Sequence, residues 1–148
     1  MFDQAKTDDP PIDHGRLLDV LARADVARLM ALAETLLPLL GAVEVVQSRT
    51  GLVMLPMRDT VQGTDFHLGE VLVAEAHLRA MGGEGYGMIV GRDLEHAMAM
   101  AVVDAAIACL GQTPTISAFL QSQVAAQAAA DTARLQAIEA TRVDMETF

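Results

Sequence analysis

A segment that is apolar on nearly every side, residues 97–110, limits the folds open to this chain more than any other feature. A helix without a polar face cannot lie on a surface, so it must be central, with other elements packed around it. Asp93 suits the N-cap of this helix, because its carboxylate can accept backbone N–H groups of the first turn. Gly111 is placed to end it. The sequence therefore predicts a buried helix late in the chain.

The apolar spacing is also helical at the start and at the end of the chain. Apolar residues recur every three or four positions over residues 13–36, and Asp25 can cap a second helix there. Pro38 and Gly41 are expected to close this region. After the buried helix, Pro114 suits the first position of a last helix, which we expect to fray near Thr141.

Between these helical regions the apolar period changes to that of strands. Arg49, Thr50 and Gly51 have the composition of a turn, because Gly adopts a positive φ without steric cost. Pro56 has no backbone N–H to donate, so we expect its strand to be an edge strand or Pro56 to lie at a bulge. Short polar turns between consecutive strands predict an antiparallel meander. Its four predicted strands are residues 43–48, 52–58, 66–80 and 85–90.

The predicted fold class is therefore α+β, with an antiparallel four-stranded sheet, N-terminal helices and two C-terminal helices, in the order α-α-β-β-β-β-α-α. Residues 1–12 are polar and acidic and are predicted to be a disordered tail, and residues 13–148 a single domain. One face of the longest strand is apolar except for Glu70, and we expect this face to contact the helices. Its members are Leu68, Leu72, Ala74, Ala76 and Leu78.

Charge and cysteine content exclude several classes of function. The net charge of −10 disfavours unassisted binding to nucleic acid or to an anionic membrane, and it favours a basic protein partner. The single cysteine, Cys109, excludes an intramolecular disulfide and a cysteine-rich zinc site. The sequence contains no recognisable secretory signal or membrane-spanning stretch, so we expect a soluble, cytoplasmic protein.

His67, Glu75 and His77 are the candidates for a metal site. They fall on one face of the predicted long strand. Residues two apart on a strand face are about 6.6 Å apart, so Glu75 and His77 could share a metal ion. The chain has no HExxH motif and no Cys/His spacing that supports such a site. A polar sheet face is the alternative interpretation, and we assign no cofactor to this chain.

Arg92, His96, Glu70 and Asp104 are the candidates for contact with an anion or a partner. Arg92 lies at a predicted helix N-terminus, where backbone N–H groups can hold an anion. His96 and Asp104 are eight positions apart, about 12 Å along a helix, which is too far for a catalytic pair. His96 is expected to hydrogen-bond near the Asp93 cap, and a buried Asp104 needs a partner.

Two segments have the character of family signatures: GYGMIVGRDLEHA at residues 85–97 and TRVDMETF at residues 141–148. The glycines of the first segment do not form a GxxxxGK[ST] phosphate loop and fit a turn and a strand better. Together with shorter matches elsewhere, these segments resemble the PhnG subunit family of the bacterial carbon–phosphorus lyase system. The shorter matches are residues 50–53, Gly69 with Glu70, Asp104 with Ala105, and residues 142–144.

The resemblance implies that the chain works in a core complex with PhnH-, PhnI- and PhnJ-like subunits, and indirectly with a PhnL-like ATPase-type protein. That system is expected to displace adenine from ATP by a phosphonate, which forms α-D-ribose 1-methylphosphonate 5-triphosphate. The resemblance carries no catalytic residue over to this chain. Arg142, Asp144 and Phe148 are predicted to form a tail that contacts a partner.

We therefore predict a non-catalytic or accessory subunit of a carbon–phosphorus lyase core complex. One alternative is a self-standing metal-binding module or enzyme that uses His67, Glu75 and His77. Another is a homodimer that binds a regulatory ligand. When the chain is produced alone, exposed interface surface is expected to drive formation of a homodimer.

Overall fold

The computed structural model describes residues 12–143, and residues 1–11 and 144–148 lie outside the description. The predicted tail of residues 1–12 therefore falls outside it except for Ile12, which is half-buried against the core. Four helices and three strands follow one another in the described residues. They are α1 (His14–Ala22), α2 (Val26–Leu40), β1 (Val43–Arg58), β2 (Asp65–Ala80), β3 (Gly83–Val90), α3 (Leu94–Leu110) and α4 (Pro114–Ala140).

The helix boundaries follow the predicted capping residues. The Asp25 carboxylate accepts the backbone N–H of Arg28 at 2.9 Å, and Asp93 accepts that of His96 at the same distance. Thr113 caps α4, whose first residue is Pro114. Each cap satisfies a donor at a helix N-terminus that has no partner within the helix. The predicted helix starts are confirmed.

The sheet has three antiparallel strands in the order β1-β2-β3, so the predicted four-stranded sheet is wrong by one strand. The expected turn at Arg49, Thr50 and Gly51 does not exist, because β1 runs through it without a break. Gly51 has no positive φ and lies opposite Val73 in the ladder. The observed order is α-α-β-β-β-α-α, and the α+β class is confirmed.

Pro56 lies at an irregularity of an edge strand, as its missing N–H predicts. β1 has β2 on one side only, and the register shifts between Leu55 and Pro56. Leu55 lies opposite Gly69 and Pro56 opposite His67, which leaves Leu68 without a partner in the ladder. A bulge at this point allows proline to be accommodated within a long ribbon.

The helices cover one face of the sheet around the central helix α3. Ala97, Ala101, Val103 and Ala105 of α3 are fully buried, which confirms the predicted central helix. Ala74, Ala76 and Leu78 of β2 are also fully buried against the helices. Burial of a side chain of the size of Leu78 contributes about 1.5–3 kcal/mol, so this contact between layers stabilises the fold. None of the helices in residues 12–143 combines the length and the hydropathy needed to cross a bilayer.

β3 pairs with β2 only from Val73 to Ala80, and beyond that point β1 and β2 continue as a two-stranded ribbon. We call this ribbon, residues 52–72, the arm. All residues of 52–70 are exposed except Asp59, which is half-buried. The prediction that Leu68 contacts the helices is wrong, because the helices do not extend over the arm and Leu68 is exposed.

Candidate functional site

The glycines of the GYGMIV segment allow α3 to lie directly on the backbone of β3. A Cβ atom on Gly85 would overlap the carbonyl oxygen of Ala101 and lie 2.6 Å from the nitrogen of Ala105. On Gly87 it would overlap the carbonyl oxygen of Ala97. Carbon and oxygen atoms cannot approach so closely, so only glycine fits at these two positions. The segment is a strand packed on a helix, as predicted, and not a phosphate loop.

Asp104 is buried beside this contact and joins three elements. Its side chain accepts the backbone N–H of Tyr86 at 2.9 Å through Oδ2, and its Oδ1 lies 2.9 Å from Nε2 of His14. The residue is 4% exposed, so its carboxylate needed partners, as predicted. His14, at the start of α1, was not foreseen as a partner, because it lies 90 positions earlier in the chain.

His96 has a structural role in the described residues. Its Nε2 lies 3.1 Å from the backbone carbonyl of Leu21, to which it donates a hydrogen bond. That carbonyl belongs to the last turn of α1 and also accepts the backbone N–H of Ala24 at 3.2 Å. Its backbone N–H donates to Asp93, as the predicted position near the cap requires. His96 therefore fixes α3 against the end of α1.

Arg92 and Glu70 are exposed and are not joined to Asp104. Neither forms an ion pair within residues 12–143. The backbone N–H of Gly91 donates to the carbonyl of Leu72 at 2.9 Å, so this N–H is already used within the fold. The structure leaves Arg92 and Glu70 available to a partner and does not bring them together at an anion site.

Of the three candidate metal ligands, His67 lies far from the other two. His67 is on the arm, ten positions from His77 on the same strand, which corresponds to about 30 Å. Glu75 forms an ion pair with Arg49 at 3.1 Å. Within the described residues no three side chains of the ligand types His, Cys, Asp or Glu cluster closely enough to hold a metal ion.

A polar cluster covers part of the sheet face that has no helices on it, which we call the outer face. His77 stacks on Tyr86 with ring centroids 4.2 Å apart, and Arg79 donates to Glu84 at 2.8 Å. The hydrogen bond from Arg79 lowers the pKa of Glu84, while desolvation and then the nearby Glu84 charge raise the pKa of Tyr86. Arg79 and Glu84 flank the Gly82 turn and lie opposite each other in the ladder. Opposite charges placed in this way on either side of a turn are the sequence signal that could have predicted this cluster.

A groove of about 370 Å³ lies between α2, α3 and β1 and is mostly apolar. We call it the groove. Glu34 and Glu95 are among its lining residues. Its apolar lining residues are Met30, Ala33, Leu37, Leu94, Met98, Ala99 and Val102.

The predicted partner tail is described only in part. The Arg142 guanidinium lies 3.1 Å from the carboxylate of Glu139, just beyond the end of α4. Asp144 and Phe148 lie outside the described residues. The distal half of α4 also exposes Leu135 and Ile138.

The fold is a two-layer α+β domain, with helices on one face of a sheet. Gly85 and Gly87 of the first signature segment pack inside it, and large apolar surfaces remain exposed. The sequence model of a family described as "Phosphonate metabolism protein PhnG" matches residues 14–148, and the chain belongs to this family. The resemblance drawn from the two signature segments is therefore confirmed. The chain is 34% identical over 152 residues to "Alpha-D-ribose 1-methylphosphonate 5-triphosphate synthase subunit PhnG" of Rhizobium meliloti (strain 1021). This alignment covers 100% of the chain and 97% of the relative.

Proposed function

We propose that this chain is an accessory, non-catalytic subunit of an α-D-ribose 1-methylphosphonate 5-triphosphate synthase of the carbon–phosphorus lyase pathway. The observation that carries the proposal is the similarity to a synthase subunit, which covers 100% of this chain and 97% of the relative. The placement of the signature residues supports the accessory role. Gly85, Asp104 and His96 hold α1, β3 and α3 together instead of meeting at a reaction centre.

PhnH-, PhnI- and PhnJ-like subunits are the proposed partners, with a PhnL-like protein acting indirectly. In this proposal the partners bind ATP and methylphosphonate and displace adenine. A chain of net charge −10 repels both anionic substrates unless cations of its partners surround them. Its contribution is then to shape and stabilise the assembly. Exposed Arg92 and Glu70 are proposed as contacts within it.

Reconstitution with and without this chain tests the proposal. Adenine released from ATP and methylphosphonate is measured by chromatography for the partner subunits alone, for this chain alone and for the complete mixture. We expect release only from the complete mixture. Adenine release by this chain alone, if it disappears in His67→Ala or His96→Ala, would contradict the proposal.

We also propose that the chain binds no metal or cofactor of its own, that it works in the cytoplasm, and that it forms a homodimer when produced alone. Elemental analysis of untagged protein tests the first point, and a stoichiometric metal lost in His77→Ala would contradict it. Light scattering tests the homodimer, which a clean monomer would exclude. A homodimer is expected because apolar surface left open in a subunit favours self-association.

A further inference from the structure

The arm has apolar residues on both faces, as a buried element would, but it is exposed to solvent. On the face that continues the core side of the sheet, Leu52 and Met54 are 63% and 51% exposed. On the opposite face, Val53 and Leu55 are 37% and 38% exposed. Strands that are apolar on both faces are typical of sheets covered on both sides. An isolated two-stranded ribbon is only marginally stable in water, so the arm needs a cover.

Both edges of the arm are open as well. β1 is an edge strand along its whole length, and β3 stops pairing with β2 at Val73. Over residues 65–71, no other strand of the described chain pairs with the outer edge of β2. An open edge of this kind is a template for a strand from another chain.

The groove continues the core-side face of the arm. Ser48 lines the groove, and Leu52 lies four positions further along the same strand. Side chains alternate between the two faces of a strand, so Ser48 and Leu52 point to the same side. The groove and this face of the arm therefore adjoin, with the small polar residues Ser48 and Thr50 between them, and together they are larger than a single small pocket.

The charges around this surface are mostly negative. Glu34 and Glu95 line the groove, and Glu70 lies on the arm opposite Met54. None of the three carboxylates forms an ion pair within residues 12–143. Arg58 at the tip of the arm is already paired with Asp65. A complementary surface must therefore carry positive charge at its rim.

We propose that the arm and the groove dock together into a cleft of a different subunit, apolar at its centre and carrying Arg or Lys at its rim. This inference rests on the proposed function, since it names the surface by which an accessory subunit joins its assembly. A second copy of this chain fits less well, because it brings the same unpaired carboxylates of Glu34, Glu70 and Glu95 towards each other. Apolar contact supplies the affinity, and the rim charges select the partner.

Two matched pairs of substitutions test the surface in the reconstituted assembly. Leu52→Thr with Met54→Thr removes apolar area from the arm and keeps residues that favour strands. Leu39→Gln with Met81→Asn removes the same two residue types, 57% and 63% exposed, at the opposite end of the sheet. We expect the arm pair to raise the dissociation constant for the partner subunits at least tenfold and the control pair less than twofold. Unchanged urea unfolding midpoints show that both variants are folded.

A photo-crosslinking residue at position 68, in place of the exposed Leu68, identifies the occupant of the surface. We expect mass spectrometry of the irradiated assembly to find this chain joined to a different subunit. A crosslink to a second copy, or equal binding by the arm pair and the control pair, overturns the inference. If the unaltered chain fails to join the partner subunits, the proposed function itself fails. If the unaltered chain and the arm variant both bind the partner subunits equally well, only this inference fails and the proposed function stands.

Discussion

At the scale of single residues, the contact between α3 and β3 depends on positions where no side chain can be accommodated. Gly85 and Gly87 lie against the backbone of Ala101 and Ala97, which are one helical turn apart on α3. Because the neighbouring atoms belong to the backbone, the helix cannot make room by changing a rotamer. The whole helix would have to move away from the sheet. This explains why glycines alternate along β3 in the segment that carries the family resemblance.

Replacement of Gly85 by alanine is therefore expected to lower the free energy of unfolding by more than about 3 kcal/mol, at the upper end of single-residue effects. Gly69→Ala is the matched control, because Gly69 is also an extended strand glycine and has no atom within 4 Å of its Cβ position. The control is expected to be neutral or to stabilise by up to about 1 kcal/mol. Urea unfolding of both variants measures the difference. Equal effects would show that α3 can shift without cost.

Asp104 allows a second test at this scale. Asp104→Ala leaves the backbone N–H of Tyr86 without an acceptor, which costs about 1–3 kcal/mol of unfolding free energy. Asp104→Asn keeps an oxygen for Tyr86 and an N–H that can face His14, so a smaller loss is expected. Urea unfolding at neutral pH compares the two. Similar losses in both variants would mean that the negative charge, and not the acceptor, is what the fold requires.

At the scale of elements, local sequence signals predicted the helices well and one strand boundary badly. Asp25, Asp93 and Pro114 mark helix starts because a cap acts on its own first turn. The segment of Arg49, Thr50 and Gly51 also carries a turn signal. Here the partner strand decides, because β2 continues to pair on both sides of it. Such pairing depends on residues more than 20 positions away and cannot be read from a local pattern.

The residues of the candidate site could be predicted from the sequence only in part. Burial of Asp104 within an apolar helix could be inferred, and so could its need for a partner. The identity of that partner could not, because His14 reaches it through the packing of α1 on α3. The metal hypothesis needed a further ligand close to Glu75 and His77, and within residues 12–143 no such cluster of three exists. His67 cannot supply that ligand, because it lies ten positions from His77 along the same extended strand.

The arm should be dispensable for folding of the rest of the domain. Leu52 and Leu72 lie opposite each other where the arm begins, and an Asn-Gly turn replacing residues 53–71 can join them. The removed residues lie outside the buried core. We expect the unfolding free energy to change by no more than about 1 kcal/mol and the urea m-value to change little, since an exposed arm gains little exposure on unfolding.

Circular dichroism followed through urea unfolding measures this outcome. Leu78→Ala, which truncates a fully buried side chain, is the reference and is expected to cost about 2–5 kcal/mol. If removal of the arm costs as much as Leu78→Ala, the arm belongs to the cooperative folding unit. The inference that it is built for a partner would then lose its main structural argument.

At the scale of the whole molecule, the helices cover one side of the sheet and the opposite side stays open. Tyr86, Met88 and Val90 of β3 are exposed on the outer face, and the arm is exposed on both faces. The open surfaces carry many exposed apolar side chains, while the chain as a whole carries a net charge of −10. Apolar surface favours association with any suitable partner, and the charge restricts the choice to partners of opposite sign. These two properties together describe a subunit that binds a partner of opposite charge more tightly than it binds its own copies.

This combination predicts opposite effects of salt on the two kinds of association. Raising the salt concentration from about 0.1 M to about 1 M shortens the Debye length from about 10 Å to about 3 Å. Binding to a subunit with a basic rim should weaken about tenfold, because attraction is screened. Formation of the homodimer should strengthen, because repulsion between like charges is screened. Analytical ultracentrifugation at both salt concentrations measures both equilibria with the same protein.

The carboxylates around the arm and the groove should account for the salt effect on the partner complex. The triple variant Glu34→Gln, Glu70→Gln and Glu95→Gln is expected to reduce the salt dependence at least by half. The control variant, Asp13→Asn, Asp19→Asn and Glu44→Gln, removes three exposed carboxylates elsewhere and changes the net charge equally. It should leave most of the salt dependence in place. Equal reductions in both variants would show that only the overall charge matters, and that the partner does not recognise the rim of this surface.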